Sequence, residues 1–440
     1  EISLGLVGSE MCIRDRYERT CPQVFPTTAP GNFTWREDCK KWVMTTFYPY
    51  QWDLNYGNPV VFNEMVSNML YLVNQGIDIV RIDAVPYIWK QLGTSCRNLP
   101  QVHTMVRMMR MITEIVCPGV VLLGEVVMEP AKVVPYFGTL EKPECHMLYN
   151  VTTMASTWHT VATKDVSLLK RQMDIVSGLP KEYVFLNYLR CHDDIGWGLD
   201  YEWLRNLSIN ESDHKRFLND YFRGFYPGSD ARGELYNDDP VLQDARLCGT
   251  TASLCGLEAA GSEQNPEKVD AAIQKIRMLN AYLFFQSGIP VIYSGDEIGQ
   301  VNDYSYKEDE DADRAADSRY LHRGKFRWDL ERCRNVPETV QNRIFEGMRQ
   351  MEKVRFCCRP FSGQAEVWTE TTHNPHVLCI CRQIDQEMVV GLFNFSEDEQ
   401  TAWIDMGEFA YEDLLAGGAC RLQGVVLPGN GYGWFYRKWK

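Results

Sequence analysis

Two side chains of opposite charge stand two residues apart at the end of a short apolar segment. Arg81 and Asp83 follow Ile79 and Val80, in a stretch that begins at Gly76. β-Branched apolar residues favour a strand buried in a parallel sheet, and side chains two apart on a strand lie on the same face. The guanidinium should lower the pKa of the carboxyl, which suits Asp83 to nucleophilic attack in its ionised form. A structural ion pair at the strand end is the simpler alternative.

Two further acidic residues follow predicted strands later in the chain. Glu125 comes directly after the apolar segment 120–124, and Asp193 follows the segment 184–189. One ionised and one protonated carboxyl are the groups that cleave a glycosidic bond with retention, since the first attacks the anomeric carbon and the second protonates the leaving oxygen. The apolar residues before Glu125 should raise its pKa toward that of a working acid. His192 and Asp193 are suited to bind sugar hydroxyls.

The elements that must position these residues alternate between helices and strands. Residues 17–56 show little periodicity, and we expect a long ordered loop there. Polar residues at the C-terminal ends of successive strands are typical of a β/α barrel, and short strands beyond about residue 360 predict a small all-β domain. The predicted strands are 77–80, 120–123, 148–150, 184–189 and 289–294. The predicted helices are 59–73, 101–116, 167–176, 337–354 and a long helix that begins at Pro266.

Composition narrows the class of protein. The 440 residues are 45% apolar and carry a net charge of −14, which disfavours nucleic acid and anionic membranes as partners. The sequence contains no apolar run long enough to span a bilayer. The 15 cysteines are scattered without the spacing of zinc ligands, so we expect free thiols, a cytoplasmic location and no metal or other cofactor.

The three acidic motifs resemble those of glycoside hydrolase family 13, the α-amylase clan. They are Gly-Ile-Asp-Ile-Val-Arg-Ile-Asp, Gly-Glu-Val-Val and Cys-His-Asp-Asp, beginning at residues 76, 124 and 191. Within that family the chain is similar to the amylosucrase subfamily, from Tyr17 to the C terminus. The segments that carry this similarity are 25–35, 45–47, 51–56, 88–100, 191–197 and 295–297.

The resemblance implies retaining transfer of a glucosyl unit from sucrose to an α-glucan or to water. Asp83 would form the glucosyl–enzyme intermediate, Glu125 would protonate the departing fructose, and Arg81 would orient Asp83. Asp193 and His192 would hold the glucosyl ring. The remaining contacts implied by the resemblance are Phe47 as an aromatic platform, Asp194 and Arg246 toward the acceptor or fructosyl unit, and Arg319 as an arginine that closes the glucosyl pocket.

The same resemblance places parts of the family's fold upstream of Tyr17. These are the first three barrel strands, an N-terminal helical domain and the aspartate that pairs with the arginine at Arg319. We therefore expect an α/β fold with a partial (β/α)8 TIM barrel, and an Arg319 with no visible partner. Exposed sheet edges should leave this chain alone poorly soluble and inactive, although the product of its gene is expected to be active. Pro22 and Lys215 stand where relatives can have arginine, which leaves the product size open.

The predicted domain organisation has three parts. Residues 1–16 resemble translated adaptor sequence and are predicted to be non-native. Residues 17–355 form the partial catalytic barrel, with an insertion at about 197–262, and residues 356–440 form a C-terminal β-sandwich.

Other interpretations of the motifs remain open. A sucrose hydrolase, an α-glucosidase or a trehalose-synthase-like enzyme of the same clan would use the same acids. A non-catalytic sugar-binding relative is a different class, and the presence of Asp83, Glu125 and Asp193 together argues against it. A metal-dependent enzyme has no ligand cluster to support it. The oligomeric state is left open.

Overall fold

The structure is a computed structural model that describes residues 7–128, 130–240 and 244–439. The chain forms two units, residues 1–149 and 150–440. The elements of the first unit are helices α1 (Val7–Glu18), α2 (Pro59–Asn74), α3 (Pro100–Val116) and α4 (Pro130–Val133), and strands β1 (Phe33–Arg36), β2 (Lys41–Met44), β3 (Ile79–Ile82), β4 (Val121–Gly124) and β5 (Met147–Tyr149).

The helix pattern read from the sequence is confirmed in the first unit. The side chain of Asn58 caps α2 by accepting a hydrogen bond from the backbone N–H of Val60, and proline occupies the first turn, where no N–H is needed. One face of α2 is buried and packs with α3 and β4 around a common core. The members of that core are Phe62, Val66, Met69, Met109 and Leu122.

Strands β3, β4 and β5 are parallel neighbours, so their C-terminal ends lie at one edge of the sheet. Arg81 is in register with Leu123, and Ile82 with Gly124. The expectation of a fully buried β3 is wrong, because Ile77 and Ile79 are exposed. The cause is that, within the described part of this unit, β3 has a neighbour only on its β4 side.

A hairpin interrupts the predicted loop 17–56. Strands β1 and β2 pair antiparallel, with Trp35 opposite Trp42. The adaptor-like segment is predicted to end at residue 16, but helix α1 continues past that residue. Residues 1–6 of the segment lie outside the described residues.

The second unit contains most of the helices and all of the C-terminal strands. Its helices are α5 (Val151–Thr163), α6 (Ser167–Ser177), α7 (Tyr201–Asn206), α8 (Glu211–Phe222), α9 (Thr251–Leu254), α10 (Leu257–Ser262), α11 (Pro266–Phe285), α12 (Ala312–Ala315), α13 (Trp328–Glu331) and α14 (Val340–Cys357). Its strands are β6 (Val184–Tyr188), β7 (Glu234–Asp239), β8 (Asp244–Cys248), β9 (Ile289–Val291), β10 (Glu366–Glu370), β11 (Val377–Ile384), β12 (Glu387–Asn394), β13 (Gln400–Trp403), β14 (Tyr411–Asp413), β15 (Ala419–Cys420), β16 (Gln423–Leu427) and β17 (Tyr432–Lys438).

Two kinds of sheet occur in this unit. Strands β6 and β9 are parallel, with Leu186 opposite Ile289, and α5 and α11 are buried along much of their length. From β10 onward all strands belong to a six-stranded sheet, in the order β10-β11-β12-β17-β14-β15, or to the pair β13-β16. This confirms an all-β C-terminal region, while the boundaries at 197–262, 17–355 and 356–440 stay predictions. Every described helix is too short or too polar to cross a bilayer.

We expect Gly288→Ala to destabilise the protein by more than about 1 kcal/mol. Gly288 has a φ of +98°, and a Cβ there would lie 2.2 Å from the carbonyl oxygen of Phe185, next to the β6–β9 pair. Urea unfolding measures the change. Gly363→Ala is the matched control, because a Cβ at Gly363 meets no atom within 4 Å. Equal stability of the two variants would contradict the argument that a Cβ at residue 288 clashes with the carbonyl oxygen of Phe185.

Candidate active site

One guanidinium joins the two acidic residues of the first unit. Arg81 lies on β3, and its Nη1 is 2.5 Å from Oδ1 of Asp83, directly beyond the strand. Its Nη2 is 3.1 Å from Oε1 of Glu125, which follows the neighbouring strand β4. The contact between Arg81 and Asp83 agrees with their spacing in the sequence. The parallel register of β3 and β4 explains why the same arginine also reaches Glu125.

A tight turn after Asp83 contributes a second contact to Glu125. Ala84 adopts the left-handed conformation, with a φ of +45°. Its backbone N–H donates a hydrogen bond of 2.8 Å to Oε2 of Glu125. A non-glycine residue in this conformation is uncommon and often marks a functional turn. The Glu125 carboxyl is therefore held at both oxygens, one by Arg81 and one by this turn.

The two carboxyls differ in their surroundings. The side chain of Asp83 is 68% exposed, whereas that of Glu125 is 17% exposed. The pKa of Glu125 is raised to about 7. Burial is the largest cause and Asp83 adds to it, while Arg81 and the N–H of Ala84 lower the pKa and offset part of the rise. Burial alone would lower the pKa of Arg81, but Glu125 and Asp83 raise it above its usual value. The cation therefore stays charged between the two acids.

The predicted aromatic platform lies beside the turn that follows Asp83. The ring of Phe47 contacts that of Tyr87 edge-on, with centroids 5.1 Å apart. Tyr87 ends the short 3₁₀ helix Val85–Tyr87, which begins two residues after Asp83. Phe47 is half-buried. The structure thus brings Phe47 to the polypeptide segment that carries the candidate nucleophile.

In the second unit, Asp193 lies among three cationic or titratable side chains. It follows strand β6 and a short polar segment. Its Oδ1 is 3.0 Å from Nη2 of Arg323 and 3.5 Å from Nη1 of Arg319, and its Oδ2 is 3.3 Å from Nε2 of His192. Of these partners, Arg323 was missed by the sequence analysis. Its position four residues after Arg319, in a segment with several basic residues, is a signal that could have found it.

The expectation that Arg319 has no visible partner is wrong. Its Nη2 is 2.7 Å from Oδ2 of Asp317, and its Nε donates to Oδ1 of the same residue at 2.9 Å. Its guanidinium also lies over the ring of Tyr236, 4.6 Å from the centroid. Asp317 lies only two residues before Arg319, a spacing that could have predicted this contact.

Asp194 and Arg246, both expected to face the acceptor or fructosyl unit, form an ion pair. Nη1 of Arg246, on β8, is 3.2 Å from Oδ2 of Asp194. Burial raises the pKa of Asp194, and Arg246 partly offsets that effect. The pair fixes the polar segment after β6 to the hairpin formed by β7 and β8.

A buried network that the sequence did not reveal supports the same segment. Nη2 of Arg190 is 2.8 Å from Oδ1 of Asp296, and both side chains are buried. Arg190 also donates to the carbonyl of His322 at 3.1 Å. Nδ1 of His322 accepts from the N–H of Gly249, so its Nε2 carries the proton toward the carbonyl of His192. Burial lowers the pKa of His322 to about 3, which keeps this ring neutral.

Across the described ranges, no three His, Cys, Asp or Glu side chains are grouped in a way that could hold an ion.

We expect the carboxyl of Glu125 to titrate near pH 7 in the folded protein, because burial disfavours its charged form. A ¹³C NMR titration, with the signal assigned by its loss in Glu125→Gln, measures the pKa. Asp83→Asn should lower this pKa, since it removes a neighbouring negative charge, while burial keeps it above the ordinary 4.5. A value near 4.5 in the unaltered protein would contradict the burial argument.

The same shift has a consequence for stability. A carboxyl whose pKa is raised on folding binds its proton more tightly in the folded state, so stability is lost as pH rises from about 4.5 through about 7. Glu125→Gln should remove that part of the pH dependence. The free energy of unfolding, measured at pH 5 and pH 8 for both proteins, provides the comparison.

Comparison with known proteins agrees with the fold and with the motifs. Residues 14–195 match the family model of the alpha-amylase catalytic domain. The glucosylglycerate phosphorylase of Spirochaeta thermophila is 29% identical over 81% of this chain and 57% of its own length. The trehalose synthase of Pimelobacter sp. is 28% identical over 63% of this chain and 43% of its own length. The chain thus spans little more than half the length of the first of these relatives.

Solved structures share the fold at low sequence identity. The sucrose 6F-phosphate phosphorylase of Thermoanaerobacter thermosaccharolyticum has a TM-score of 0.63 and 18% identity, over 89% of this chain and 70% of that one. The trehalulose synthase of Pseudomonas mesoacidophila has a TM-score of 0.64 and 15% identity, over 95% and 75%. These neighbours are (β/α)8 barrel enzymes with a C-terminal β domain. Residues 14–195 of this chain are therefore similar to the alpha-amylase catalytic domain, and the chain shares its fold with these solved structures.

Proposed function

We propose that this protein transfers an α-glucosyl unit with retention of configuration, by double displacement through a glucosyl–enzyme intermediate. One observation carries the proposal. A single arginine binds two carboxyls at the ends of adjacent strands, and burial raises the pKa of one of them to about 7. A carboxyl with a pKa near neutral can both give and take a proton, and an arginine beside a second carboxyl favours the anion; retaining glycoside cleavage requires such a pair.

In the first step, the exposed carboxylate of Asp83 attacks the anomeric carbon, and the bond to the leaving oxygen breaks. Glu125 donates its proton to that oxygen. In the second step the ionised Glu125 takes a proton from the acceptor hydroxyl, which displaces Asp83 from the sugar. Arg81 contacts both carboxyls, and it stabilises Asp83 as the anion in the free enzyme and again as it leaves.

The second unit supplies the proposed sugar-binding residues. Asp193 and His192 are proposed to bind hydroxyls of the glucosyl ring, and Arg319 is proposed to close the pocket for it. The order of the acidic motifs along the sequence supports these roles. Ion pairs with Arg319 and Arg323 hold the carboxylate of Asp193, whose oxygens can accept hydrogen bonds from sugar hydroxyls.

For the substrates, we propose sucrose as donor and an α-glucan as acceptor. The motifs similar to the amylosucrase subfamily support this choice, at 25–35, 45–47 and 88–100. The sequence relatives favour a second candidate, transfer to another acceptor: they include glucosylglycerate phosphorylases and trehalose synthases. All of these reactions are consistent with the same first step, so only the acceptor separates them.

The roles of Asp83 and Glu125 are separated by the leaving group. α-Glucosyl fluoride needs little acid assistance, so Glu125→Gln should lose about 10²–10⁴-fold with sucrose but much less with the fluoride. Asp83→Asn should lose activity with both donors, because the nucleophile is missing. Released fructose and fluoride are measured, in the full product of the gene, since this chain covers 57% of the first relative's length.

Two results would contradict these roles. Equal losses of Glu125→Gln with both donors would remove it as the acid. Full activity of Asp83→Asn would favour the non-catalytic, structural interpretation of its ion pair.

The acceptor is tested by competition. The protein is supplied with sucrose and with maltoheptaose, inorganic phosphate or glucose, and the products are separated by chromatography. We expect elongated α-glucan as the main product. Glucose 1-phosphate would identify a phosphorylase, trehalose or another disaccharide would identify a synthase, and glucose alone would identify a hydrolase.

A further inference from the structure

Two buried cysteines from distant parts of the first unit lie side by side. Cys21 follows α1, and Cys96 lies in the loop before α3. Their side chains share a hydrogen bond. Both sulfurs also contact one threonine, because Sγ of Cys21 is 3.6 Å from the carbonyl oxygen of Thr94 and Sγ of Cys96 is 3.9 Å from its hydroxyl oxygen. Both cysteines are free thiols, and neither has a role in the function proposed above.

The loop that carries Cys96 is held in an uncommon conformation. Cys96 has a φ of +51° and Asn98 a φ of +57°, in a region that few non-glycine residues adopt. The N–H of Cys96 donates to the hydroxyl of Thr94 at 3.2 Å, and the N–H of Asn98 donates to the carbonyl of Pro86 at 3.0 Å. The loop therefore fixes the position of Cys96, and it is anchored to the 3₁₀ helix that follows Asp83.

The surroundings make one thiol a nucleophile and the other a proton donor. The hydrogen bond between the two side chains lowers the pKa of Cys96 to about 6, and the same contact raises the pKa of Cys21. The ammonium of Lys90, which is 2.5 Å from Asp53, has a smaller lowering effect on both pKa values. At neutral pH, Cys96 is therefore mostly a thiolate and Cys21 a thiol. A thiolate is the form that peroxides oxidise, and an adjacent thiol converts the product to a disulfide.

We propose that Cys21 and Cys96 form a peroxide-sensitive modification site, at which the two thiols are joined reversibly in a disulfide. The Cys96 thiolate attacks one oxygen of hydrogen peroxide, the O–O bond breaks, and hydroxide leaves the resulting sulfenic acid. The sulfur of Cys21 then attacks the sulfenic sulfur, the S–O bond breaks, and the hydroxyl group leaves as water with the proton of Cys21. The two steps oxidise the thiol pair by two electrons and reduce one peroxide to water and hydroxide. Because both sulfurs are buried, a peroxide suits the site better than a bulky disulfide reagent.

The disulfide would join two segments that border the proposed catalytic residues. Cys21 lies four residues before Phe25, whose ring centroid is 6.2 Å from that of Phe47. Cys96 lies in the loop that is anchored beside the turn after Asp83. Oxidation would therefore restrict the movement of these two segments relative to each other. The inference goes beyond the proposed function and does not depend on it, because the oxidation needs no sugar substrate.

A second thiol pair in the chain serves as the matched control. Sγ of Cys379 is 4.0 Å from Sγ of Cys381, and both residues are buried on β11 in the second unit. Residues two apart on one extended strand carry parallel side chains about 6.6 Å apart, which is too far between Cβ atoms for an unstrained disulfide. Their hydrogen bond and burial raise the pKa of Cys381. Proximity of two sulfurs is thus present in both pairs, but a thiolate in suitable geometry is present only in the first.

The test treats the full gene product with hydrogen peroxide at pH 7, blocks the remaining thiols with N-ethylmaleimide, and identifies linked peptides by mass spectrometry. We expect a link between residues 21 and 96 that dithiothreitol removes, and thiols at Cys379 and Cys381 that stay reduced. The link should form about tenfold more slowly at pH 5 than at pH 7, because Cys96, with a pKa of about 6, is then mostly protonated.

Two serine variants separate the roles of the thiols. Cys21→Ser keeps a hydroxyl that can donate to Cys96, so peroxide should leave a sulfenic acid at Cys96, which dimedone captures. Cys96→Ser should leave Cys21 unoxidised under the same conditions. Absence of the link in the unaltered protein, equal oxidation of the control pair, a rate that does not change with pH, or a dimedone adduct at Cys21 would overturn the inference. Sucrose turnover is not among these measurements, so failure of the proposed function is judged separately.

Discussion

The geometry of the first unit depends on one cation shared by two carboxyls. Arg81 can reach Asp83 because the two residues alternate on one strand, and it can reach Glu125 because β3 and β4 are parallel and in register. The chain must then turn at once, and Ala84 does so with a positive φ that also directs its N–H to Glu125. Backbone strain, register and electrostatics therefore combine at the point where the proposed nucleophile and the proposed acid lie.

The sequence predicted local relations better than long-range ones. The contact of Arg81 with Asp83 and the buried face of α2 follow from periods of two and of 3.6 residues, and both are present. The exposure of Ile79 was mispredicted because an apolar strand is buried only if it has neighbours on both sides. The β1–β2 hairpin was missed because its paired tryptophans lie in a segment rich in turn residues, without clear alternation.

In the second unit, the buried network was missed because its partners lie far apart in sequence. Arg190 and Asp296 are 106 residues apart, and neither pattern nor spacing links them. Yet a buried pair of this kind is costly to break, because removal of one partner leaves an uncompensated charge in the interior. The neutral His322 adds two hydrogen bonds to the same region. The segment that carries His192 and Asp193 is thus held in place by Arg190, Asp296 and His322, which have no proposed role in the reaction.

Discrimination between acceptors requires different contacts from those that carry out the transfer. In the proposed reaction, any hydroxyl or phosphate that reaches the anomeric carbon of the glucosyl–enzyme intermediate can complete the transfer, so the proposed nucleophile and acid cannot discriminate between acceptors. Discrimination must come from contacts to parts of the acceptor that do not react. The same argument explains how relatives with one fold can differ in product.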